Sequence, residues 1–147
     1  MARLLLMLVG LTLVGCVGQK GPIKPYDTRH SVHFLVYADP PPKPAMKVRP
    51  ECRVGDRIKK TPTLRLPHEG FSAVEVAIVG AVAGKHTLGI ADPVTGAVGL
   101  KEKVEVKRDL WVVLEIDSKT RTGRLRVYEK PPNDEVGRWR PLVRLPD

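Results

Sequence analysis

Apolar positions follow three regimes along the chain. The first is a short, nearly unbroken run: Leu4 to Leu13 is apolar apart from Gly10 and Thr12, with Arg3 ahead of it and small Gly15 behind. A positive n-region, an apolar h-region and a small residue before the cut are the layout of a secretory signal. About ten apolar residues are too few to cross a hydrocarbon core, which needs ~20. Residues 1–15 therefore read as a cleaved signal peptide rather than a membrane-spanning helix. The second regime, residues 16–30, has no periodicity, and Gly18, Gly21, Pro22 and Pro25 lie among Lys20, Lys24 and Asp27. It reads as a flexible tether, ~20 Å end to end as coil and about 45–50 Å at full stretch.

The third regime begins at Ser31, where alternation of apolar and polar residues takes over. Val32 to Tyr37 is a strand candidate. Pro40-Pro41-Pro42-Lys43-Pro44 must stop it, because proline has no N–H to give to a ladder, and the run reads as a stiff extended connection. Met46 to Val54 and Thr63 to Leu66 are further strands, pushed toward edges by Pro50, Pro62 and Pro67. Val74, Val76 and Ile78 alternate with Glu75 and Ala77, and Ala83-Gly84-Lys85 turns the chain. His86, Leu88 and Ile90 alternate with Thr87, Gly89 and Ala91 up to a second turn, Asp92-Pro93-Val94-Thr95-Gly96. Val104 and Val106 precede a turn at Arg108-Asp109, and Leu110 to Ile116 is so continuously apolar that it predicts an inner strand covered on both faces. Leu125 and Val127 alternate with Arg124, Arg126 and Tyr128, and Trp139 to Leu145 is a last strand that Pro141 assigns to an edge. Residues 31–147 therefore predict one all-β domain, an antiparallel β-sandwich of about seven to nine strands.

Two segments resemble known families. Leu13-Val14-Gly15-Cys16 resembles the lipobox of bacterial lipoproteins, with every restricted position matched. The resemblance implies that the Cys16 thiol receives a diacylglyceryl group, that the chain is cut before Cys16, and that the new amine is acylated. Each buried methylene contributes about 0.8 kcal/mol, so several acyl chains hold a protein durably where one does not. In Gram-negative lipoproteins Asp after the lipidated Cys commonly marks retention in the inner membrane. Val17 stands there, which implies the outer membrane. The second segment, Ala83 to Ile90, is similar to the Gly-x-(His/Tyr)-x-Leu-x-Ile strand of transthyretin-like and carboxypeptidase-regulatory-like domains, which implies a β-sandwich.

Composition refines this picture. Of 147 residues, 15 belong to the signal and 132 remain, enough for one core and not two. The net charge is +9, of which Arg3 supplies one, but acids and bases are interspersed rather than gathered in a polybasic tail. Lipid on Cys16 would leave Cys52 without an intramolecular partner. Cys52 then reads either as a small buried apolar residue or as a thiol available for an intermolecular disulfide or redox exchange.

No catalytic constellation emerges. Gly80 to Thr87 approaches a phosphate-binding loop but is one residue short, has His86 where Ser or Thr should hold magnesium, and runs into a strand. His30, His33, His68 and His86 form no paired ligand motif, so no metal is expected. Ser31, Ser72 and Ser118 lie in no nucleophile elbow, and Asp134 and Glu135 read as solvated loop charges. No enzyme activity and no cofactor are expected beyond the covalent lipid.

The remaining candidate surface is basic. Arg124 and Arg126 share one face of a strand, as do Arg138, Arg140 and Arg144 of the last, with Trp139 between them. Were these strands neighbours, they would form a cationic stripe. Such a stripe is either a solvated face that discourages edge pairing or a contact for anionic lipid, glycan or an acidic protein. Trp111 reads as core, and Trp139 as core or partner contact. The expected function is that of an outer-membrane lipoprotein, a non-catalytic interaction or scaffold subunit of an envelope protein complex such as secretion or gliding-motility machinery. The alternative is a lipoprotein that binds anionic cell-wall glycan or lipopolysaccharide through the Arg-rich face. Nucleic acid is not an expected partner, because export separates the chain from it.

Overall fold

The computed structural model describes residues 29–142. The segment expected to be a signal peptide, Cys16 and the part of the expected tether up to residue 28 lie outside the described residues, as does Arg144. The fold is all-β, with helix confined to one turn. The strands are β1 (Arg29–Asp39), β2 (Met46–Val48), β3 (Glu51–Val54), β4 (Arg57–Lys60), β5 (Leu64–Leu66), β6 (Ala73–Val82), β7 (Gly84–Ala91), β8 (Val98–Val106), β9 (Leu110–Asp117), β10 (Gly123–Tyr128) and β11 (Trp139–Arg140), with α1 (Asn133–Val136) before the last. Eleven strands exceed the expected seven to nine because Met46 to Val54 divides into β2 and β3 and because β4 was not anticipated. β1 opens at Arg29, two residues inside the stretch expected to be tether.

One sheet has the order β10-β9-β1-β6-β11, a second β4-β3-β7-β8, and β2 pairs with β5 alone. The expectation of purely antiparallel sheets needs correction, since β1 runs parallel to β9 and β6 parallel to β11. Neither pair is joined by a hairpin. β2 to β8 intervene between β1 and β9, so no tight turn dictates their relative direction. The four-stranded sheet is antiparallel throughout.

Period-2 alternation turns one face of each main strand inward. From the larger sheet come Val32, Phe34 and Val36 of β1, Val74 and Ala77 of β6, and Val112, Leu114 and Ile116 of β9. From the smaller come Cys52, Val54, Leu88, Ile90 and Val106, and Val48 and Leu66 of the two-stranded sheet join the same buried cluster. The arrangement is sandwich-like. Each Val, Leu, Ile or Phe among them gains ~1.5–3 kcal/mol on leaving water. β9, β1 and β6 are bonded on both sides, as expected for Leu110 to Ile116, and the middle strand β1 has Phe34, Leu35 and Val36 fully buried.

The pairing is irregular twice, in β7 against β8 between His86 and Leu88, and in β1 against β6. Phe34 faces Ala77 and Leu35 faces Glu75, so Val76 is an extra residue in β6. This bulge lets Val76 and Ala77 both turn inward and sends Ile78, expected inward, to the position opposite His33 on the outer face.

Candidate functional site

The outer face of the five-stranded sheet carries most of the residues that sequence reasoning singled out. Register places Tyr128, Trp111, His33 and Ile78 in one row, Arg126, Val113, Leu35 and Glu75 in the next, and Arg124, Glu115, Tyr37, Ala73 and Trp139 in a third. Alternation keeps these side chains on one face while their neighbours fill the core. The segment after β10 then crosses that face. Val136 of α1 is buried against Leu35, Ala73 and Val113, with Tyr37, Trp111, Tyr128 and Trp139 packed around them.

Polar groups under this cover are paired. The His33 ring stacks on Trp111 with centroids 4.9 Å apart and 9° between planes. His33 Nδ1 lies 2.5 Å from Glu75 Oε1, and Glu75 Oε2 accepts the Leu142 N–H at 2.7 Å. The Trp139 indole N–H donates to Asn133 Oδ1 at 2.6 Å. Burial raises the Tyr37 phenol above its ordinary range, and Asp39 and Glu115 add to the shift. Trp111 is thus half-buried on the outer face rather than in the main core, and Trp139 packs within the molecule.

The arginines among the described residues do not form one stripe. Arg124 and Arg126 sit on β10 and Arg140 on β11, which are opposite edges of the sheet with three strands between. At about 4.8 Å per strand the two groups stand roughly 19 Å apart. The cause is the crossing segment: burying Val136 on the outer face carries the chain to the far edge before β11 forms. Each group also has local partners. Arg126 pairs with Glu115 at 3.3 Å, and Tyr128 and Glu115 together raise its pKa. Arg138 lies 4.8 Å from the centroid of the Phe71 ring. Arg140 meets His68 Nε2 and pairs with Glu69 at 3.1 Å.

A different surface was not anticipated. On the outer face of the smaller sheet, register aligns Ile58, Arg53, Gly89 and Leu100, and beside them Lys60, Glu51, Ala91 and Val98. Ile58, Val98 and Leu100 remain 50%, 58% and 51% exposed, and Gly89 leaves a shallow groove of about 290 Å³ between the rows. Alternation at Val98, Leu100 and Ile58 is visible in the sequence, but it points outward here because Gly99 takes the inward place opposite Ile90.

Among the described residues no three His, Cys, Asp or Glu side chains gather to hold a metal ion. Cys52 is buried and free, and burial pushes its thiol up to about 12. Compared with protein-family models, with curated proteins and with solved structures, the chain gives no match.

Proposed function

We propose that this protein is a lipoprotein anchored through Cys16 in a bacterial outer membrane, where its β domain serves as a non-catalytic interaction subunit of an envelope protein assembly. One observation carries the reading: Leu13-Val14-Gly15-Cys16 follows an h-region too short to span a bilayer. β1 opens thirteen residues after Cys16, a reach of at most ~45 Å, so the domain stays close to the membrane surface. Support for an interaction role comes from the small sheet, where Ile58, Val98 and Leu100 stand exposed around Gly89, a kind of surface that proteins use for contact. Support for a non-catalytic role comes from the polar groups that are brought together, since His33, Glu75 and Asp92 are each bonded within the fold.

Metabolic labelling with an alkyne palmitate tests the anchor. Wild type should take up label and sediment with membranes, and Cys16→Ser should lose both properties. Unlabelled wild type, or wild type that elutes from membranes in plain buffer, would overturn the anchor. Val98→Asp/Leu100→Asp tests the subunit role: the circular dichroism spectrum should be retained, while an envelope protein that co-purifies in stoichiometric amount with wild type should be lost. A complex unchanged by the double substitution would remove that face from the role.

A further inference from the structure

Three loops meet at one end of the molecule. β1 and β9 are parallel, so Asp39 and Asp117 finish side by side, and the chain leaves them into residues 40–45 and 118–122. β7 ends and β8 begins at the same end, joined by residues 92–97. Arg29 lies at the other end of β1, an eleven-residue strand and so roughly 35 Å away.

Together these loops wall a cleft of about 580 Å³. Its charged lining is Lys43, Lys47, Lys119 and Arg121, and no carboxylate lines it. None of the four forms an ion pair with a carboxylate among the described residues. The nearby acids are occupied or set aside. Asp92 accepts the N–H groups of Arg49, Val94 and Thr95, and Asp117 those of Lys119 and Thr120. Asp39 is exposed beside the cleft and does not line it.

The loops are also held in shape. Two are closed by those Asp-centred turns, and the third is a proline run whose φ angles are preset. A binding site assembled from such loops loses little conformational entropy when occupied. Proline rings, Met46 and Val94 supply apolar wall between the cations.

We propose that this cleft binds a multiply phosphorylated ligand, its phosphoryl groups held by Lys43, Lys47, Lys119 and Arg121 and its uncharged body lying against the proline wall. Phosphoryl groups fit because each carries up to two negative charges and several acceptor oxygens, matching dispersed ammonium groups better than a lone carboxylate does. The cleft is large enough for several groups, so one isolated ion is not the fitting occupant. This inference does not rest on acylation of Cys16.

The full chain in dodecyl maltoside micelles tests it, titrated with long-chain polyphosphate in one arm and short-chain cardiolipin, whose headgroup carries two phosphates, in the other. Lys43→Gln/Lys47→Gln/Lys119→Gln/Arg121→Gln is compared with a control that loses equal charge elsewhere, Lys59→Gln/Lys85→Gln/Lys101→Gln/Lys130→Gln. The loop variant should lose at least tenfold in affinity and the control less than about threefold, with melting temperatures unchanged in both. Binding in the polyphosphate arm alone assigns the phosphates to a soluble polymer, and binding in the lipid arm alone assigns them to a headgroup. Equal losses in the two variants, or no saturable binding in either arm, would overturn the proposal.

Discussion

Cys52 shows how burial decides a residue's chemistry. Its side chain is 1% exposed among Val54, Leu88 and Ile90, and removal from water lifts the thiol to about 12, with Lys59 pulling weakly the other way. The thiolate fraction at pH 8 is then roughly one in ten thousand. In a Cys16→Ser background, a thiol reagent should find almost no reactive group in the native chain at pH 8 and one equivalent after denaturation. Fast native labelling would contradict the burial. The folded thiol titrates near 12 and the unfolded one near 9.0, so the protonated thiol favours folding fully below pH 9. That contribution fades as pH rises from 9 toward 12, and Cys52→Ala should flatten this part of the urea-midpoint profile. Asp92 makes the complementary case. Its 1% exposed carboxyl accepts Arg49 N–H at 2.7 Å as well as the N–H groups of its own turn. Asp92→Ala leaves these amides without that partner and should cost about 2–4 kcal/mol in urea unfolding. The Asp-Pro-Val-Thr-Gly turn was legible in the sequence. Its second grip, on the Arg49 amide between β2 and β3, 43 residues away, was not, because that partner exists only in the tertiary fold.

At the scale of elements, the two sheets approach most closely where β8 meets β10. A Cβ at Gly123 would stand 2.9 Å from Val98 N and 3.0 Å from Val98 O, and one at Gly99 would stand 2.6 Å from Leu125 Cβ. Backbone atoms cannot step aside as a side-chain tip can. Gly123→Ala should therefore destabilise by about 1–3 kcal/mol, while Gly80→Ala, with open space around it, should stay within about 1 kcal/mol by chemical denaturation. Most long strands were legible, from clean alternation as in β10 or from a continuous apolar run as in β9. β4 was missed although Gly55-Asp56, between β3 and β4, is a two-residue hairpin signal. Its Arg-Ile-Lys-Lys composition hid a strand whose residues are all exposed. The bulge at Val76 and the splitting of the arginines between opposite edges were not legible. Both depend on pairing between distant strands, and local periodicity carries no record of that.

For the whole molecule, one buried cluster drawn from all three sheets predicts a single cooperative transition. Urea curves from far-ultraviolet circular dichroism and from tryptophan fluorescence should superimpose. An earlier fluorescence change would show that the cover over Trp111 and Trp139 detaches alone. The position of β1 has a mechanical consequence. It is the middle strand, its first residue is where the amino-terminal chain joins the fold, and it is laddered to β6 on one side and β9 on the other. Tension drawn along Arg29 therefore loads two rows of backbone bonds in shear. They have to rupture together rather than unzip singly, so a pull on the amino-terminal end of β1 should meet far higher rupture force than one that peels β10 from its edge.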